Sequence, residues 1–485
     1  MANGKFSLVC TGFWVDCVTL EQRRQTGVAS LAATGMGNPV ILSFYPTQSA
    51  RRGWFAMAGL AALCGAGLAQ ANPPADDAAY GPPAGPVQRA AAADLPAGVP
   101  PALARTADAA LADNPQVIAS RAALAVSQAD LEAAQWTRYP SLSAEALAAT
   151  RGSNVADADG LALNVALEQP LWAGGAIDGQ IDAARSLRDA GAEALREARV
   201  NVLLGIVEAW FGVLRADQRA RAIDVGLADH RALVASIERR VAQQVSPLAD
   251  LTLARSRTTQ LEIELAATRE AGANALLRLH ALAGDGLELP VMPDAAIYGA
   301  IPPERAAFDE MVACAPVIGR LRNQIASAEA EVRGAKGALF PQVLLQLSQN
   351  ELTGARAAVV VRARTGNGLA RFSAIDRAKA RVDQTIAQLG AADRELRAQL
   401  GNDYVSLRSS RAQAEAGAMA SAAAADLQAS YQRQFVAGRR SWLDVLNAAR
   451  EVTSARIGES DARVSAAAGA TRILALSCRW RPAGL

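Results

Sequence analysis

The residues most often found in metal and catalytic sites are few or widely spaced in this sequence, and their spacing does not match that of a metal, catalytic or nucleotide site. The two histidines, His230 and His280, lie far from any cysteine pair, which argues against a His/Cys metal cluster. No pair of acids and no nucleophile with a base stands out, and the isolated Gly-Asn-Gly at 366–368 lacks the strand and helix that a nucleotide site needs. We therefore predict no catalytic residues, no cofactor and no metal, and a protein that is not an enzyme.

The charge balance and the cysteines argue against two further classes of protein. The 485 residues include 49 Lys and Arg and 47 Asp and Glu, and neither cation gathers into a basic face, so no nucleic-acid partner is expected. Three of the five cysteines lie within the first 64 residues, which leaves only Cys314 and Cys478 for the rest of the chain. We expect no disulfide scaffold.

Capping residues do gather at two places where a long helical run ends. Ser246 and Pro247 offer an N-cap followed by a proline suited to the first helical position. Farther along, Gly438 interrupts a second run, and Ser441 is followed three residues later by Asp444, as in a capped helix start. Both places predict a tight turn into a new helix.

The runs that lead into these turns are unusually long. No proline occurs from about 177 to 241 or from about 372 to 435, and apolar residues recur three or four apart, as in Leu203, Ile206 and Trp210. At the α-helical rise, about 65 residues form a rod roughly 100 Å long, which no compact domain needs. Such a helix must bury its stripe against similar helices, in a coiled coil or a helical tube.

Each rod follows a stretch in which apolar and polar residues alternate. Leu163 and Val165 share one face, while Asn164 and Glu168 occupy the other. Residues 343–349 show the same alternation. Alternation over about ten residues predicts β-hairpins, and about ten residues suffice for a tilted strand to cross a bilayer. An ordinary half-buried sheet is the alternative interpretation of this pattern.

The hairpin and the rod occur twice. Residues 115–140 align with 316–341 at an offset of 201 without a gap, and later landmarks align at an offset of 194. The landmarks include the aromatic-Pro pairs at which helix passes into strand, Tyr139-Pro140 and Phe340-Pro341. The registry predicts an internal duplication, each unit consisting of a helix, a hairpin, a very long helix, a tight turn and a shorter helix.

The N-terminal part predicts export. Residues 51–71 have two arginines, an apolar run and then small residues, as in a secretory signal, although a buried helix is the alternative. Lipidation at Cys64 is not expected, because Leu63 precedes it where a small residue is needed. We expect residues 1–50 to reflect a start codon assigned too early. The predicted division is 1–50 upstream extension, 51–71 signal peptide, 72–104 Pro/Ala-rich segment, 105–283 first repeat, 284–302 linker, 303–475 second repeat and 476–485 tail.

In the order of its elements and in two motifs, the chain resembles the TolC family of outer-membrane efflux proteins. The strand exit Gln-Pro-Leu-Trp-Ala-Gly-Gly at 169–175 and the turn Phe-Val-Ala-Gly-Arg-Arg-Ser-Trp-Leu-Asp-Val-Leu at 435–446 fit the family pattern. The likeness covers about 105–475. The first turn departs from it, with Val245 where family members often carry glycine.

The resemblance implies a mainly α fold with a membrane β-barrel portion. In the family, a homotrimer closes a twelve-stranded barrel in the outer membrane of Gram-negative bacteria, with four strands from each chain, and extends a helical tunnel through the periplasm. Such a protein is a passive exit duct. Its implied partners are outer-membrane lipid, a periplasmic adaptor (membrane fusion) protein and an inner-membrane transporter, either ABC-type or proton-driven.

The resemblance also places a constriction just after the second turn. Asp444 stands where relatives carry an acidic ring, and Asn447 where a second acid is often found. Arg440 and Asp250 match positions whose contacts hold the entrance closed, and Phe435 lacks the hydroxyl that a tyrosine would offer there. The turns themselves would be formed around Gly438, Ser441 and Pro247. The alternative is that Asp444 only caps its helix and Arg440 is a solvated charge.

Two alternatives concern function. A periplasmic coiled-coil adaptor or structural protein without a pore would explain the helices and the signal, but not two matched hairpins of membrane length. Within the channel class, the cargo is either small toxic compounds or a protein exported by type I secretion. The chain also bears a fainter overall resemblance to CyaE-type toxin exporters, which no particular residue carries, and both cargo classes stay open.

Overall fold

The computed structural model describes residues 18–22, 29–33, 40–44, 95–149, 160–350, 354–363 and 369–482. The chain divides into two compact units, Met1–Gln88 and Arg89–Leu485. The first unit contains a three-stranded antiparallel sheet, which the sequence analysis did not predict, in the order β1 (Val18–Gln22), β2 (Ala29–Ala33) and β3 (Val40–Phe44). The predicted signal peptide lies outside the described residues.

The second unit contains the two predicted copies of helix, hairpin, long helix and shorter helix. The first copy comprises α1 (Pro101–Asp113), α2 (Pro115–Trp136), β4 (Ser141–Ala149), β5 (Gly160–Trp172), α3 (Ala176–Ala242) and α4 (Leu248–Ala283). The second comprises α5 (Ile297–Ala300), α6 (Glu304–Cys314), α7 (Pro316–Gly337), β6 (Gln342–Asn350), β7 (Gly354–Arg362), α8 (Ala370–Val436) and α9 (Trp442–Leu476). The prediction of a mainly helical chain with a small β portion is confirmed.

The long helices α3 and α8 each contain 67 residues, which corresponds to about 100 Å of helix. Their apolar stripes are buried where the sequence predicts, and Leu203, Ile206 and Trp210 are almost fully buried in one cluster that takes side chains from both copies. This shared core means that neither copy buries its stripe alone.

A break in the helix that precedes each hairpin was not predicted. Pro115 and Pro316 begin α2 and α7, and the residues before them, Asn114 and Ala315, are extended with ψ values of 129° and 118°. A residue that precedes proline is disfavoured in the helical region, so each preceding helix must end there. The Asn114 side chain then caps α2 by accepting a hydrogen bond from the Gln116 amide at 2.9 Å.

Glycine allows α3 and α7 to touch at their backbones near the sheet. A Cβ on Gly179 would lie 2.5 Å from the Gly334 amide nitrogen. This distance is too short for any side chain at 179 unless the backbone of one helix moves. The two copies are therefore in direct main-chain contact at this point, which we call the glycine contact (Gly179 and Gly334).

The two hairpins join into one four-stranded antiparallel sheet, in the order β4-β5-β6-β7. The junction is the β5–β6 ladder, which runs from the Asn164–Asn350 pair to the Trp172–Val343 pair and is irregular after Pro170. Within the described part of this chain, the outer edges of β4 and β7 have no strand partner.

The two turns between long and short helices end in the same way. Gln244, with φ 57°, and Gly438, with φ 73°, both adopt the left-handed conformation. In each turn the next amide closes the helix: Val245 N donates to Arg240 O and Arg439 N to Gln434 O, both at 2.8 Å. The residue that stands in place of the glycine is thus Gln244, and our assignment of Val245 is wrong.

We expect Gln244→Gly to raise the free energy of unfolding by about 0.5–1 kcal/mol, because the left-handed conformation strains a side-chain-bearing residue. Gly438→Ala should lower it by about 1 kcal/mol for the same reason. Chemical denaturation of the detergent-solubilised protein, followed by helical ellipticity, measures both. Destabilisation by Gln244→Gly would contradict this account of the first turn.

Candidate functional site

The four-stranded sheet places most of its large apolar residues on one face. Residues paired in register point to the same side, so each ladder extends the alternation across the sheet. One face, the apolar face, contains Leu142, Leu163, Val165, Leu167, Val343, Leu345, Leu347, Val359 and Val361. Gln169 and Gln349 interrupt it towards its two ends. Asn164 and Glu168 lie on the opposite face, as the alternation predicts.

Several large side chains of the apolar face are exposed, whereas one ion pair on the opposite face is partly buried. On the apolar face Leu142, Val359 and Val361 are 72%, 63% and 66% exposed. On the opposite face Glu168 and Arg362 form an ion pair of 3.2 Å with both side chains only 30% exposed. An ordinary half-buried sheet would bury its apolar side chains and expose its charges.

Exposed aromatic residues surround the end of the sheet at which strands meet helices. Trp136 is the last residue of α2, and Tyr139 lies three residues beyond it, with the two ring centroids 5.0 Å apart. Trp172, at the exit of β5, stands 6.2 Å from Phe340 in an edge contact. Pro140 and Pro341 lie between these aromatic residues and the first residues of the next strands. Aromatic residues at such a boundary are typical of a membrane–water interface.

The two turns lie at the other ends of α3 and α8, and one apolar cluster joins them. Phe435 is buried there among residues of both copies: Leu233, Ile237, Leu251, Ala254, Val445 and Leu446. The Arg240 guanidinium lies over the Phe435 ring at 4.9 Å from its centroid, a cation–π contact between the last turns of α3 and α8. The sequence gives little sign of this contact, because the two residues are 195 positions apart.

Around the second turn the predicted polar residues form a local network. Ser441 caps α9: its Oγ accepts from the Asp444 amide at 3.2 Å and donates to Asp444 Oδ2 at 3.0 Å. Arg440 Nη1 lies 3.7 Å from the same carboxylate oxygen, and its guanidinium covers the Tyr431 ring at 4.4 Å. Its Nε donates to Gln434 Oε1 at 3.2 Å. The structure thus brings Arg440, Ser441 and Asp444 together.

Asp250 and Asn447 are not part of this network in the described chain. Asp250 lies in the first turn of α4 after Pro247, and the contacts of Arg440 within the described residues do not include it. Asn447 is exposed and lines a cavity of about 130 Å³ beside His230. Burial lowers the pKa of His230, whose Nδ1 lies 2.8 Å from the Gly226 carbonyl oxygen.

Among the described residues, no helix is long and apolar enough to cross a membrane. In the same residues, no group of three or more His, Cys, Asp or Glu side chains could hold a metal ion.

The duplicated helical unit with one shared four-stranded sheet is a fold seen in bacterial outer-membrane channel proteins. The chain is similar in structure to the outer membrane protein VceC of Vibrio cholerae, with TM-score 0.67 and 18% identity over 77% of this chain and 96% of that one. It is similar to the Campylobacter jejuni CmeC channel, with TM-score 0.68 and 14% identity over 78% and 85%. It is also similar to the open Neisseria gonorrhoeae MtrE channel, with TM-score 0.64 and 16% identity over 78% of this chain and 89% of that one.

Residues 106–285 match the model of the family described as outer membrane efflux protein. This match confirms the predicted resemblance to a family of outer-membrane efflux proteins and the predicted outer-membrane location. No curated protein matches the chain in sequence.

We expect the Arg240–Phe435 contact to couple the two copies energetically. In a double-mutant cycle, Arg240→Ala and Phe435→Leu should show a coupling energy of about 0.5–1 kcal/mol, because leucine keeps the burial but removes the aromatic face. Unfolding of the detergent-solubilised protein measures it. Arg239→Ala, with the same charge change at an exposed neighbour, is the control and should not couple to Phe435→Leu. Additive effects of Arg240→Ala and Phe435→Leu would contradict the contact.

Proposed function

We propose that the protein is the outer-membrane exit duct of a tripartite export system and that it works as a trimer. The observation that carries the proposal is the apolar face of the sheet, on which Leu142, Val359 and Val361 are exposed while the Glu168–Arg362 pair lies on the opposite face. Lipid is the environment in which such a face is stable, and the aromatic residues at the strand ends fit its boundary. A periplasmic adaptor without a pore would have no use for this face.

The open edges of β4 and β7 argue for assembly. Backbone groups cannot be left unpaired in the hydrocarbon layer, so a membrane sheet must close into a barrel. The two hairpins of one chain are too few to close around a pore. Threefold symmetry would bring β7 of one protomer beside β4 of the next protomer. The barrel would then have twelve strands, with the Glu168 face lining its lumen.

The helices and turns give the proposed duct its length and its entrance. Helices α3 and α8 carry the chain about 100 Å from the sheet to the turns, a distance suited to crossing much of the periplasm. Three copies of Asp444 near the axis would concentrate negative potential in the entrance and favour cations. A periplasmic adaptor protein and an inner-membrane transporter would dock at this end and supply both cargo and energy. Small toxic compounds and a type I secreted protein are the two cargo classes.

The membrane face can be tested by paired substitutions on adjacent residues. Val165→Arg should lower stability by about 2–4 kcal/mol, because it places a charge in lipid, whereas Asn164→Arg in the lumen should cost little. Heat-modifiable migration of the outer-membrane trimer on gels reports assembly of each variant. Equal damage from both substitutions, or a stable monomer for the parent in sedimentation, would reject the barrel.

The entrance can be tested by single-channel recording in planar bilayers. Asp444→Ala should reduce cation selectivity, because it removes the proposed ring of charge, and Arg440→Ala should raise conductance by releasing the network at the second turn. If Asp444→Ala and Arg440→Ala both conduct and select as the parent does, the constriction lies elsewhere.

A further inference from the structure

The described residues contain a disulfide that the sequence analysis did not predict. Cys314 and Cys478 are bonded, with Cα atoms 6.6 Å apart and 164 positions between them in sequence. Cys314 is the last residue of α6, and Cys478 lies two residues beyond the end of α9. The bond therefore fastens the start of the second copy to the segment that follows the last helix.

The first copy has no cysteines at the equivalent positions. Offsets of 201 and 194 place Cys314 on Asp113 and Cys478 on Gly284. Gly284 and Cys478 both have a positive φ, of 80° and 59°. Glycine is the residue that this conformation favours, so backbone preference does not explain a cysteine at 478. Pairing with Cys314 does.

The first copy secures the same junction by a weaker link. The Asn114 side chain donates through Nδ2 to the Leu282 carbonyl oxygen at 3.0 Å, which ties the α1–α2 junction to the end of α4. The equivalent of Asn114 in the second copy is Ala315, whose side chain has no donor. In the second copy, the covalent bond at the preceding residue takes the place of this hydrogen bond.

The bond holds residues 477–482, which we call the C-terminal segment. Trp480 of this segment is only 2% exposed and packs in the shared core. Its indole Nε1 is buried without a hydrogen-bond acceptor among the described residues. The cost of this unpaired donor offsets part of the free energy gained by burying the apolar rings. Arg479 pairs with Glu310 at 2.8 and 2.9 Å, but this pair is exposed enough to stabilise little. Docking of the segment therefore depends mainly on burial of the Trp480 ring system, because the indole nitrogen is unpaired and the Arg479–Glu310 pair is weak.

We propose that Cys314 and Cys478 form a redox-operated fastener, which docks the C-terminal segment only after the chain reaches an oxidising compartment. This inference rests on the proposed function in so far as that function requires export across the inner membrane. The two thiols lose two protons and two electrons to form the bond, and a dithiol–disulfide oxidant of that compartment is reduced to two thiols. Both cysteines are half-buried and line a cavity of about 350 Å³, which gives a reagent a route to them.

Trypsin provides a direct test, because Arg479 lies within the segment and is exposed, whereas the bond after Arg481 precedes Pro482 and resists trypsin. The full-length protein is purified in detergent from outer membranes and digested with and without prior reduction, and C-terminal fragments are followed by mass spectrometry. Cleavage after Arg479 should be at least about tenfold faster in the reduced protein and in Cys314→Ser. Cys478→Gly should be cleaved equally fast, although glycine suits the backbone there.

Asn114→Ala, which removes the link of the first copy, is the matched control and should leave C-terminal cleavage unchanged. The proposal is overturned if maleimide labelling finds two free thiols in the protein from outer membranes. It is also overturned if oxidised and reduced protein are cleaved at the same rate. A conducting trimer with equal cleavage rates would reject the fastener alone, whereas an oxidised, protected chain that forms no channel would reject the duct alone.

Discussion

The burial of one narrow apolar stripe along a helix of 67 residues is the constraint on which the rest of this structure depends. Such a helix cannot bury its stripe within itself or against a small domain, so it needs neighbours of similar length. The chain supplies them by duplication: α2 and α4 flank α3, α9 runs beside α8, and α9 also packs on α3. The core around Trp210 takes residues from both copies because only the pair together encloses it.

The sequence predicted the architecture well where a single strong periodicity decided it. The stripe through Leu203 and Ile206 has the helical repeat, and the alternation around Val165 has the repeat of a strand, so each could be assigned without knowledge of its neighbours. The breaks before Pro115 and Pro316 were missed, although both prolines are plain in the sequence. A proline can either interrupt a continuing helix or occupy the first turn of a new one, and the sequence alone did not distinguish these two cases.

The polar site was predicted less completely, and the reason is distance along the chain. The Ser441–Asp444 cap is a local pattern and could be read directly, as could the position of Arg440 beside it. The contact of Arg240 with Phe435 depends on how two long helices lie against one another, which no local window contains. The same is true of Cys314 and Cys478, whose partnership becomes evident only when both ends of the second copy are placed side by side.

The glycine contact between α3 and α7 has a mechanical consequence. Main chains in direct contact leave no side chains to rearrange, so this end of the helix acts as a pivot, and the helix beyond it acts as a lever. For a straight helix of about 100 Å, a tilt of one degree at the pivot displaces the far end by roughly 2 Å. A tilt of α3 at the glycine contact would therefore be felt most at the first turn, around Gln244, at the opposite end of the helix from the sheet.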